Sequence, residues 1–271
     1  MSVLGKNKNS VEYWADSAGW YAGAIDNDYH RHRLNVIRSL IPADLYRSGK
    51  RIFDFGYGDA VHFPEFLDAG AIIQGVDASP EMIGFAKDRL SGGGYDPELV
   101  ALGTADSMVE LEDASFDAVL SFNVLAYLTD EEENKFYKEA SRIIKPGGYL
   151  AVTHSNELFD MFSLNRYTAE FFNRHFVQDP NYDVSGMLTF AHKPEGHPQY
   201  NVRENPLTYS FKLKKFGFTE IKQSFSNLHQ APPQILGPDK TYPDTLRIPE
   251  EERWKLMFTC STYGSCSQKN R

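Results

Sequence analysis

The sequence predicts an α/β protein built around a doubly wound, mostly parallel sheet of seven strands. Short apolar strands alternate with amphipathic helices between residues 51 and 153, the pattern of a parallel sheet whose strands are buried on both faces. A glycine-rich turn, Gly56-Tyr57-Gly58, follows the first of these strands. The chain has 271 residues, of which 41% are hydrophobic, which suits one α/β domain with an insertion.

The elements are assigned in chain order. Residues 10–41 are helical in pattern, rich in aromatic side chains and closed by Pro42, so residues 1–42 are expected to form an N-terminal helical lid. Strands are predicted at 51–55, 72–76, 99–103, 116–122 and 149–153, and helices at 61–69, 80–90 and 130–144. Ser79 is placed to cap the second of these helices, with Pro80 in its first turn.

The regular alternation stops after His154. Residues 157–205 hold aromatic helix-like segments and a stretch rich in His, Pro and Gly, and we expect them to form an inserted helical and loop cap over a ligand pocket. A helix at 207–216, a strand at 218–225, a loop and helix within 229–252, and a last helix and strand within 255–268 follow. Residues 1–271 are therefore expected to form a single domain.

Composition excludes several classes of protein. The net charge is −9 and basic residues are not clustered, so nucleic acid is not an expected partner. No apolar run is long enough to span a membrane, and the first residues lack the apolar centre of a signal peptide. Two late cysteines, Cys260 and Cys266, do not form a disulfide framework. A cytoplasmic protein is expected, and without an HExxH, a paired CxxC or an Asp-rich loop, no metal.

The glycine turn and two nearby carboxylates indicate a cofactor site. Gly56 and Gly58 let the backbone turn sharply and approach a ligand closely. Asp77 ends the second strand roughly 20 residues later, where a carboxylate can accept hydrogen bonds from both ribose hydroxyls. Burying Asp54 or Asp77 without a partner would be costly, which favours ligand binding over a purely structural role. These features alone suit either a dinucleotide or another nucleoside cofactor.

Five segments taken together resemble the motifs of the class I S-adenosylmethionine-dependent methyltransferases, in the usual order and spacing. They are DFGYGDA, GVDASPEMIGFAKDRL, GTADSM, FDAVLSFNVLAYL and IIKPGGYLAV. Ala60 stands where these enzymes usually have a third glycine, and Val61 stands at the third-glycine position of a dehydrogenase GxGxxG, which disfavours a nicotinamide cofactor. The resemblance implies a Rossmann-like methyltransferase fold, S-adenosylmethionine as cofactor and S-adenosylhomocysteine as its product.

The resemblance also implies roles for single residues. The cofactor-binding set that it implies is Tyr13, Tyr21, Asp54, Gly56, Gly58, Asp77, Ala78, Met82, Ala105, Asp106, Ser107 and Asn123. Asp54 would face the methionine amino group and Asp77 the ribose hydroxyls. Asp106 would accept from the adenine amino group, and a plain helix N-cap is the alternative for it. Tyr13 and Tyr21 would close over the cofactor, or serve only in packing.

Methyl transfer from a sulfonium is an in-line displacement that needs alignment and, for a hydroxyl acceptor, a base. His154 directly follows the fifth strand at the sheet edge where such groups gather, and it is the first candidate base. His229, after the sixth strand, is the second and Tyr127 the third. If His154 is the base, the pH–rate profile is expected to show an ionisation in the usual range of histidine.

The predicted cap is locally basic, which suggests an acidic or polyhydroxylated small-molecule acceptor. Its basic or neighbouring polar residues are Arg166, Tyr167, Arg174, His175, His192, Lys193, His197 and Arg203. The segments NELFDMFSLNRYTAEFF and RENPLTYSFKLKKFGF resemble methyltransferases found with bacterial surface-polysaccharide biosynthesis. O-methylation of a sugar or sugar-linked metabolite is therefore favoured. The alternatives are an N-methyltransferase, a catalytically inactive cofactor-binding partner protein and a nicotinamide-dependent reductase, and a homodimer remains open.

Overall fold

The computed structural model describes residues 28–159, 202–229 and 244–271, together with Gly19. Most of the predicted lid at residues 1–42, including Tyr13 and Tyr21, lies outside the described residues. So does the predicted cap at residues 157–205, apart from its two ends. The basic side chains of the cap, except Arg203, also fall outside this part of the chain.

Strands and helices alternate through the described ranges. The strands are β1 (Arg51–Phe55), β2 (Ile72–Asp77), β3 (Val100–Leu102), β4 (Phe116–Phe122), β5 (Ile144–Asn156), β6 (Arg203–Glu204), β7 (Phe218–Leu228) and β8 (Cys260–Lys269). The α-helices are α1 (Asp28–Leu40), α2 (Phe63–Asp68), α3 (Pro80–Gly92), α4 (Asp130–Ile143), α5 (Tyr209–Lys215) and α6 (Leu256–Thr259). Short 3₁₀ helices occupy Ala43–Leu45, Pro97–Leu99, Ser107–Glu110, Leu125–Tyr127, Thr245–Arg247 and Glu250–Lys255. Within these ranges, no helix has both the length and the apolar character needed to cross a bilayer.

One sheet contains all the described strands. Its order is β3-β2-β1-β4-β5-β8-β7, and β6 pairs with the end of β5 outside that path. Strands β3, β2, β1, β4 and β5 run parallel, whereas β8 is antiparallel to both β5 and β7. The predicted doubly wound, mostly parallel sheet of seven strands is confirmed, with the two-residue β6 as an addition.

Helices cover the two faces of the sheet with separate apolar layers. Successive side chains of a strand point to opposite faces, and β1 shows this directly. Ile52 packs with Phe66 of α2 in one buried cluster, and Phe53 packs in a second cluster that includes Phe136 of α4. Because both faces of β1 are buried, only the strand ends are left to meet a ligand.

Local signals fix several boundaries. Ser79 caps α3 as predicted, since its hydroxyl accepts a hydrogen bond from the backbone of Met82. Strand β5 was predicted to start at residue 149, but it begins at Ile144. The Lys-Pro-Gly-Gly segment stays in the strand because Gly147 takes a positive φ of 78° and the pairing with β4 shifts register there.

Candidate active site

A cavity of about 470 Å³ opens where the parallel strands end. The glycine turn after β1 and the ends of β2 and β3 form one half of its wall. The ends of β4 and β5, with residues of β6 and β8, form the other half. In an open α/β sheet the carboxyl ends of the strands are the usual site of ligand binding. We call the first half the cofactor half and the second the acceptor half.

The glycine turn needs its glycines for two different reasons. Gly56 has φ of 74°, and a Cβ there would lie 2.2 Å from a side-chain carbon of Val124. Gly58 also has a positive φ, and its N–H donates to Oδ2 of Asp77 over 2.9 Å. Ala60, in the place of a third glycine, adopts φ of 56° and is buried. The turn therefore presents bare backbone to the cofactor half of the cavity.

Asp77 is held by backbone donors and still faces the cavity. Its Oδ1 accepts from the N–H of Ser79 over 2.9 Å, and its Oδ2 accepts from Gly58. Burial raises the pKa of Asp77, and these backbone hydrogen bonds oppose that shift. A carboxylate has about four acceptor sites, so Asp77 can also receive the two hydroxyls of a ribose.

Asp54 lies below the glycine turn, in a small second cavity of about 50 Å³ that also has Gly56, Gly58 and Asn123 in its wall. The side chain is 2% exposed, and its Oδ1 has no hydrogen-bond partner within the described residues. Burial first, and then the charge of Asp77, raise the pKa of Asp54 to about 8. An unpaired buried carboxyl is costly, and it fits a ligand that brings a cationic amino group to this turn.

Three apolar residues line one side of the cofactor half. Ala78, Met82 and Ala105 line it, and the last two are buried. Asp106 also lines the cavity, but its side chain is 78% exposed and pairs with Lys135. It makes no side-chain cap to the following 3₁₀ helix, so the N-cap alternative was wrong.

Ser107, by contrast, is not among the residues that line the cavity. Its hydroxyl accepts from the backbone N–H of Thr104 over 3.3 Å, which braces the loop after β3.

Arg33 is a site residue that the sequence analysis missed. It lies on α1, is 8% exposed and lines both cavities beside the glycine turn. Its guanidinium lies 2.8 Å from Nδ1 of His30. A guanidinium here fits the carboxylate of an amino-acid ligand. Because α1 carries Arg31, Arg33 and Arg38, the sequence does not show which of them turns inward.

The acceptor half begins at Asn123, which ends β4. Its φ is 61°, and its N–H donates to Oγ1 of Thr153 over 2.9 Å. Asn123 and Tyr127 both line the cavity, as expected from the sequence. The left-handed backbone turns the chain away from the sheet directly beside the glycine turn, at the boundary between the two halves.

His154 lines the acceptor half and is 3% exposed. The ring centroids of Tyr209 and Tyr263 lie 4.8 Å and 6.0 Å from its own. Its Nε2 has no hydrogen-bond partner in the part of the chain that is described. Burial, and to a lesser extent the charge of Lys212, lower the pKa of His154 to about 3. The imidazole is therefore neutral at physiological pH, and its ionisation falls below the usual histidine range that the sequence led us to expect.

The structure does not bring His229 to this wall. It is buried against Phe159, with ring centroids 4.7 Å apart, and its backbone N–H donates to the backbone carbonyl of Thr259. It follows β7, and β8 separates that strand from β5, which carries His154. His154 and Tyr127 are thus the two predicted catalytic candidates that line the cavity. Among the described residues, no group of His, Cys, Asp and Glu side chains could hold a metal ion.

A parallel sheet of this order, a glycine turn, an aspartate at the end of β2 and a cavity across the strand ends define the fold of the class I S-adenosylmethionine-dependent methyltransferases. Residues 53–152 match the family model described as a methyltransferase domain. The fold is therefore that of this class, and the matched residues include the glycine turn and Asp77.

Curated proteins resemble part of the chain. A ubiquinone biosynthesis O-methyltransferase of Paraburkholderia phymatum is 30% identical over 122 residues, which is 44% of this chain and 50% of the relative. One from Sinorhizobium medicae is 30% identical over 169 residues, or 59% of this chain and 65% of that protein. The chain thus spans about half to two thirds of the length of these curated relatives.

Solved structures resemble the chain over most of its length. A SAM-dependent methyltransferase from Archaeoglobus fulgidus aligns with a TM-score of 0.57 at 17% identity, covering 92% of this chain and 99% of that one. Haemonchus contortus phosphoethanolamine N-methyltransferase 2, in complex with phosphomonomethylethanolamine and S-adenosylhomocysteine, aligns with a TM-score of 0.57 at 16% identity. That alignment covers 96% of this chain and 58% of the Haemonchus chain. At these identities the likeness establishes the fold.

Proposed function

We propose that this chain is an enzyme that transfers a methyl group from S-adenosylmethionine to a hydroxyl of a small molecule, a sugar or sugar-linked metabolite. The observation that carries the proposal is one cavity that joins the glycine turn and Asp77 to His154, whose Nε2 has no hydrogen-bond partner among the described residues. The bound cofactor supplies an electrophilic methyl group on its sulfonium. What the protein must add is alignment of the acceptor hydroxyl with that methyl group.

The cofactor half and the small cavity below it together have a group for each polar part of S-adenosylmethionine. Asp77 accepts the ribose hydroxyls, and Asp54 faces the amino group of the methionine part. Arg33 binds the methionine carboxylate, since it lines both cavities at the glycine turn. Ala78 and Met82 pack against the adenine. Together these residues fix the direction in which the methyl group points, toward the acceptor half.

The acceptor half is rich in hydroxyl and amide groups, which supports a polyhydroxylated acceptor. Ser155, Ser261, Thr262 and Asn123 line it. A sugar can exchange hydrogen bonds with such a wall, whereas a purely apolar acceptor would leave the buried Oγ of Ser261, which has no partner among the described residues, unsatisfied. The resemblance to enzymes of surface-polysaccharide biosynthesis supports the same acceptor class, and action in the cytoplasm stays a prediction. We further propose that residues 157–205 close over this pocket.

His154 is proposed to accept the hydrogen bond of the acceptor hydroxyl and to assist in removing its proton. His154→Ala is expected to lower kcat by roughly a hundredfold, the lower end of the usual contribution of a positioned base because an imidazole of low pKa is a weak base, while leaving cofactor affinity nearly unchanged. Because its pKa of about 3 keeps the imidazole neutral, the loss is expected to be equal at about pH 6 and about pH 8. Steady-state kinetics at both pH values measure this.

His154→Gln is the matched control for this prediction, because an amide keeps a hydrogen-bond acceptor without the basicity of imidazole. We expect it to recover part of the lost kcat. A His154→Ala enzyme with near-normal kcat would show that alignment alone suffices and that water takes the proton.

The proposed activity is tested by binding first and turnover second. Calorimetry is expected to show binding of S-adenosylhomocysteine and none of NADH or NADPH. Radiolabelled S-adenosylmethionine with a panel of sugars, sugar nucleotides and amino sugars is then expected to yield a labelled, base-stable product. Binding of a dinucleotide would contradict the assignment, and binding of S-adenosylmethionine without transfer to any acceptor would indicate a partner protein. Transfer to the amino sugars alone would indicate N-methylation.

A further inference from the structure

Resting on the proposed function, we propose that Arg89 is a positioning residue for cofactor binding: it binds Asp59 and thereby holds the glycine turn in place against Asp77. Arg89 lies in the last turn of α3. Among the described residues that line the two cavities, Arg89 is absent, so it acts on the cofactor through other residues. The proposal also explains why an acidic residue follows Gly58 in the glycine turn.

Asp59 is a buried carboxylate, 4% exposed, that directly follows Gly58. Its side chain pairs with the guanidinium of Arg89. A buried carboxylate without a partner would be costly, so this ion pair is needed wherever the turn adopts this conformation. Asp59 lines the small cavity together with Arg33 and Asp54. Because Arg89 already neutralises Asp59, Asp54 is the carboxyl there that is left to meet the amino group of the cofactor.

Arg89 binds Asp59 at two points, on its backbone and on its side chain. Nε of Arg89 donates to the backbone carbonyl of Asp59 over 2.8 Å, while a terminal guanidinium nitrogen donates to the carboxylate. The donors of a guanidinium have fixed directions, so two contacts define the orientation of the bound peptide unit as well as its position. That peptide unit leads into Ala60, whose φ of 56° is uncommon for alanine. Arg89 therefore stabilises the turn at its least favourable residue.

The helix that carries Arg89 also determines the orientation of Asp77. Its N-cap, Ser79, donates a backbone hydrogen bond to Oδ1 of Asp77, and Gly58 donates one to Oδ2, each over 2.9 Å. One of these donors belongs to α3 and the other to the glycine turn, so the carboxylate keeps its direction only while the helix and the turn stay at a fixed separation. Arg89 fixes that separation, because it joins α3 to Asp59, the residue next to Gly58.

The unequal exposure of the two partners decides what the ion pair contributes. The side chain of Arg89 is 38% exposed, and the attraction of an exposed pair is weakened by water. The side chain of Asp59 is only 6% exposed, so removal of Arg89 leaves a buried carboxylate unpaired. We expect the turn to shift until water reaches that carboxylate. Such a shift lengthens the hydrogen bond from Gly58 to Asp77 and misdirects the group that receives the ribose.

Calorimetric titration of the full chain with S-adenosylhomocysteine tests the inference. Arg89→Met keeps the apolar stem of the side chain and removes both contacts with Asp59, and it is expected to raise the Kd about five- to tenfold. Arg89→Lys keeps the charge but cannot make both contacts at once, so its Kd is expected to lie between those of Arg89→Met and the wild type. Asp59→Asn weakens the same pair from the other side and is expected to raise the Kd by a factor similar to that of Arg89→Met.

A double-mutant cycle with Asp77→Ala distinguishes positioning from a general loss of structure. In the Asp77→Ala background, Arg89→Met is expected to change the Kd by less than about twofold, because the carboxylate that Arg89 positions is gone. A residue that merely supports the fold would weaken binding by the same factor in both backgrounds. Lys87→Met is the matched control. Lys87 lies on the same helix, is equally exposed at 38% and pairs with Glu98, so its loss is expected to leave the Kd unchanged.

A folded Arg89→Met variant with the Kd of the wild type would overturn the inference, and so would equal weakening with and without Asp77. If Arg89→Met does not fold, the same cycle is measured with Asp59→Asn, for which the expectation and the contradicting results are the same. Failure of S-adenosylhomocysteine to bind the wild-type chain would instead overturn the proposed function, so the two failures are distinguishable.

Discussion

Asp77→Ala is expected to weaken binding of S-adenosylmethionine by about ten- to a hundredfold, the cost of losing charged hydrogen bonds to the ribose. The carboxylate lines the cavity and also accepts from the N–H groups of Gly58 and Ser79. Its loss therefore removes the ribose acceptor and loosens the glycine turn at once. Calorimetric titration of the wild type and the variant measures the change in Kd.

The control for Asp77 is Asp106→Ala, at a second aspartate of the cofactor half. Its side chain is 78% exposed and already pairs with Lys135, so water replaces most of what it provides. We expect the Kd of the Asp106→Ala variant for S-adenosylmethionine to differ from that of the wild type by less than about threefold. Asp77→Asn keeps one acceptor oxygen, so its affinity for S-adenosylmethionine is expected to lie between those of Asp77→Ala and Asp106→Ala. Unchanged affinity in a folded Asp77→Ala variant would remove Asp77 from the cofactor site.

Binding of S-adenosylmethionine is expected to release close to one proton and to strengthen about tenfold per pH unit between about pH 6 and about pH 8. Burial and the neighbouring Asp77 raise the pKa of Asp54 to about 8, so in the free protein this carboxyl is protonated at lower pH. The amino group and sulfonium of the cofactor favour the ionised form and lower that pKa. Calorimetry in buffers of different ionisation enthalpy measures the released proton directly.

Asp54→Asn is the matched control for this linkage, because it imitates the protonated form in shape and cannot titrate. We expect its cofactor affinity to lose most of the pH dependence. The pH dependence of the stability of the free protein provides an independent test of the raised pKa of Asp54. A raised pKa means that the folded state binds the extra proton, so the contribution of Asp54 to stability declines as pH rises from about 4 to about 8. Identical pH dependence of Kd in wild type and Asp54→Asn would refute the assignment.

The fold was largely predictable because its strands are buried on both faces. Strands β1 and β4 have the bounds that the apolar runs predicted, since each run is bordered by polar or glycine residues. The start of β5 was wrong because Lys145-Pro146-Gly147-Gly148 has the composition of a turn. The paired backbone of β4 overrides that local preference, and the positive φ of Gly147 absorbs the irregularity.

The cofactor half of the site was more predictable than the acceptor half. Asp54, Gly56, Gly58 and Asp77 lie at strand ends, where sequence position almost determines spatial position. Arg33 faces the cavity because of the way α1 is rotated about its own axis. The helix carries three arginines within about two turns, so the sequence does not show which of them faces inward. The low pKa of His154 depends on burial between two tyrosine rings from distant segments, which no local pattern reveals.

The position of β8 between β5 and β7 has a consequence for how the chain is made. Ribosomes release a chain from its N-terminus, so β1 to β7 emerge before the strand that joins the two parts of the sheet. Until then, residues Tyr149–Ser155 of β5 and much of β7 expose unpaired backbone groups on an open edge. Such edges recruit other strands and promote aggregation. The nascent polypeptide therefore passes through a vulnerable interval during synthesis, in which a chaperone that shields strand edges would raise the yield of folded protein.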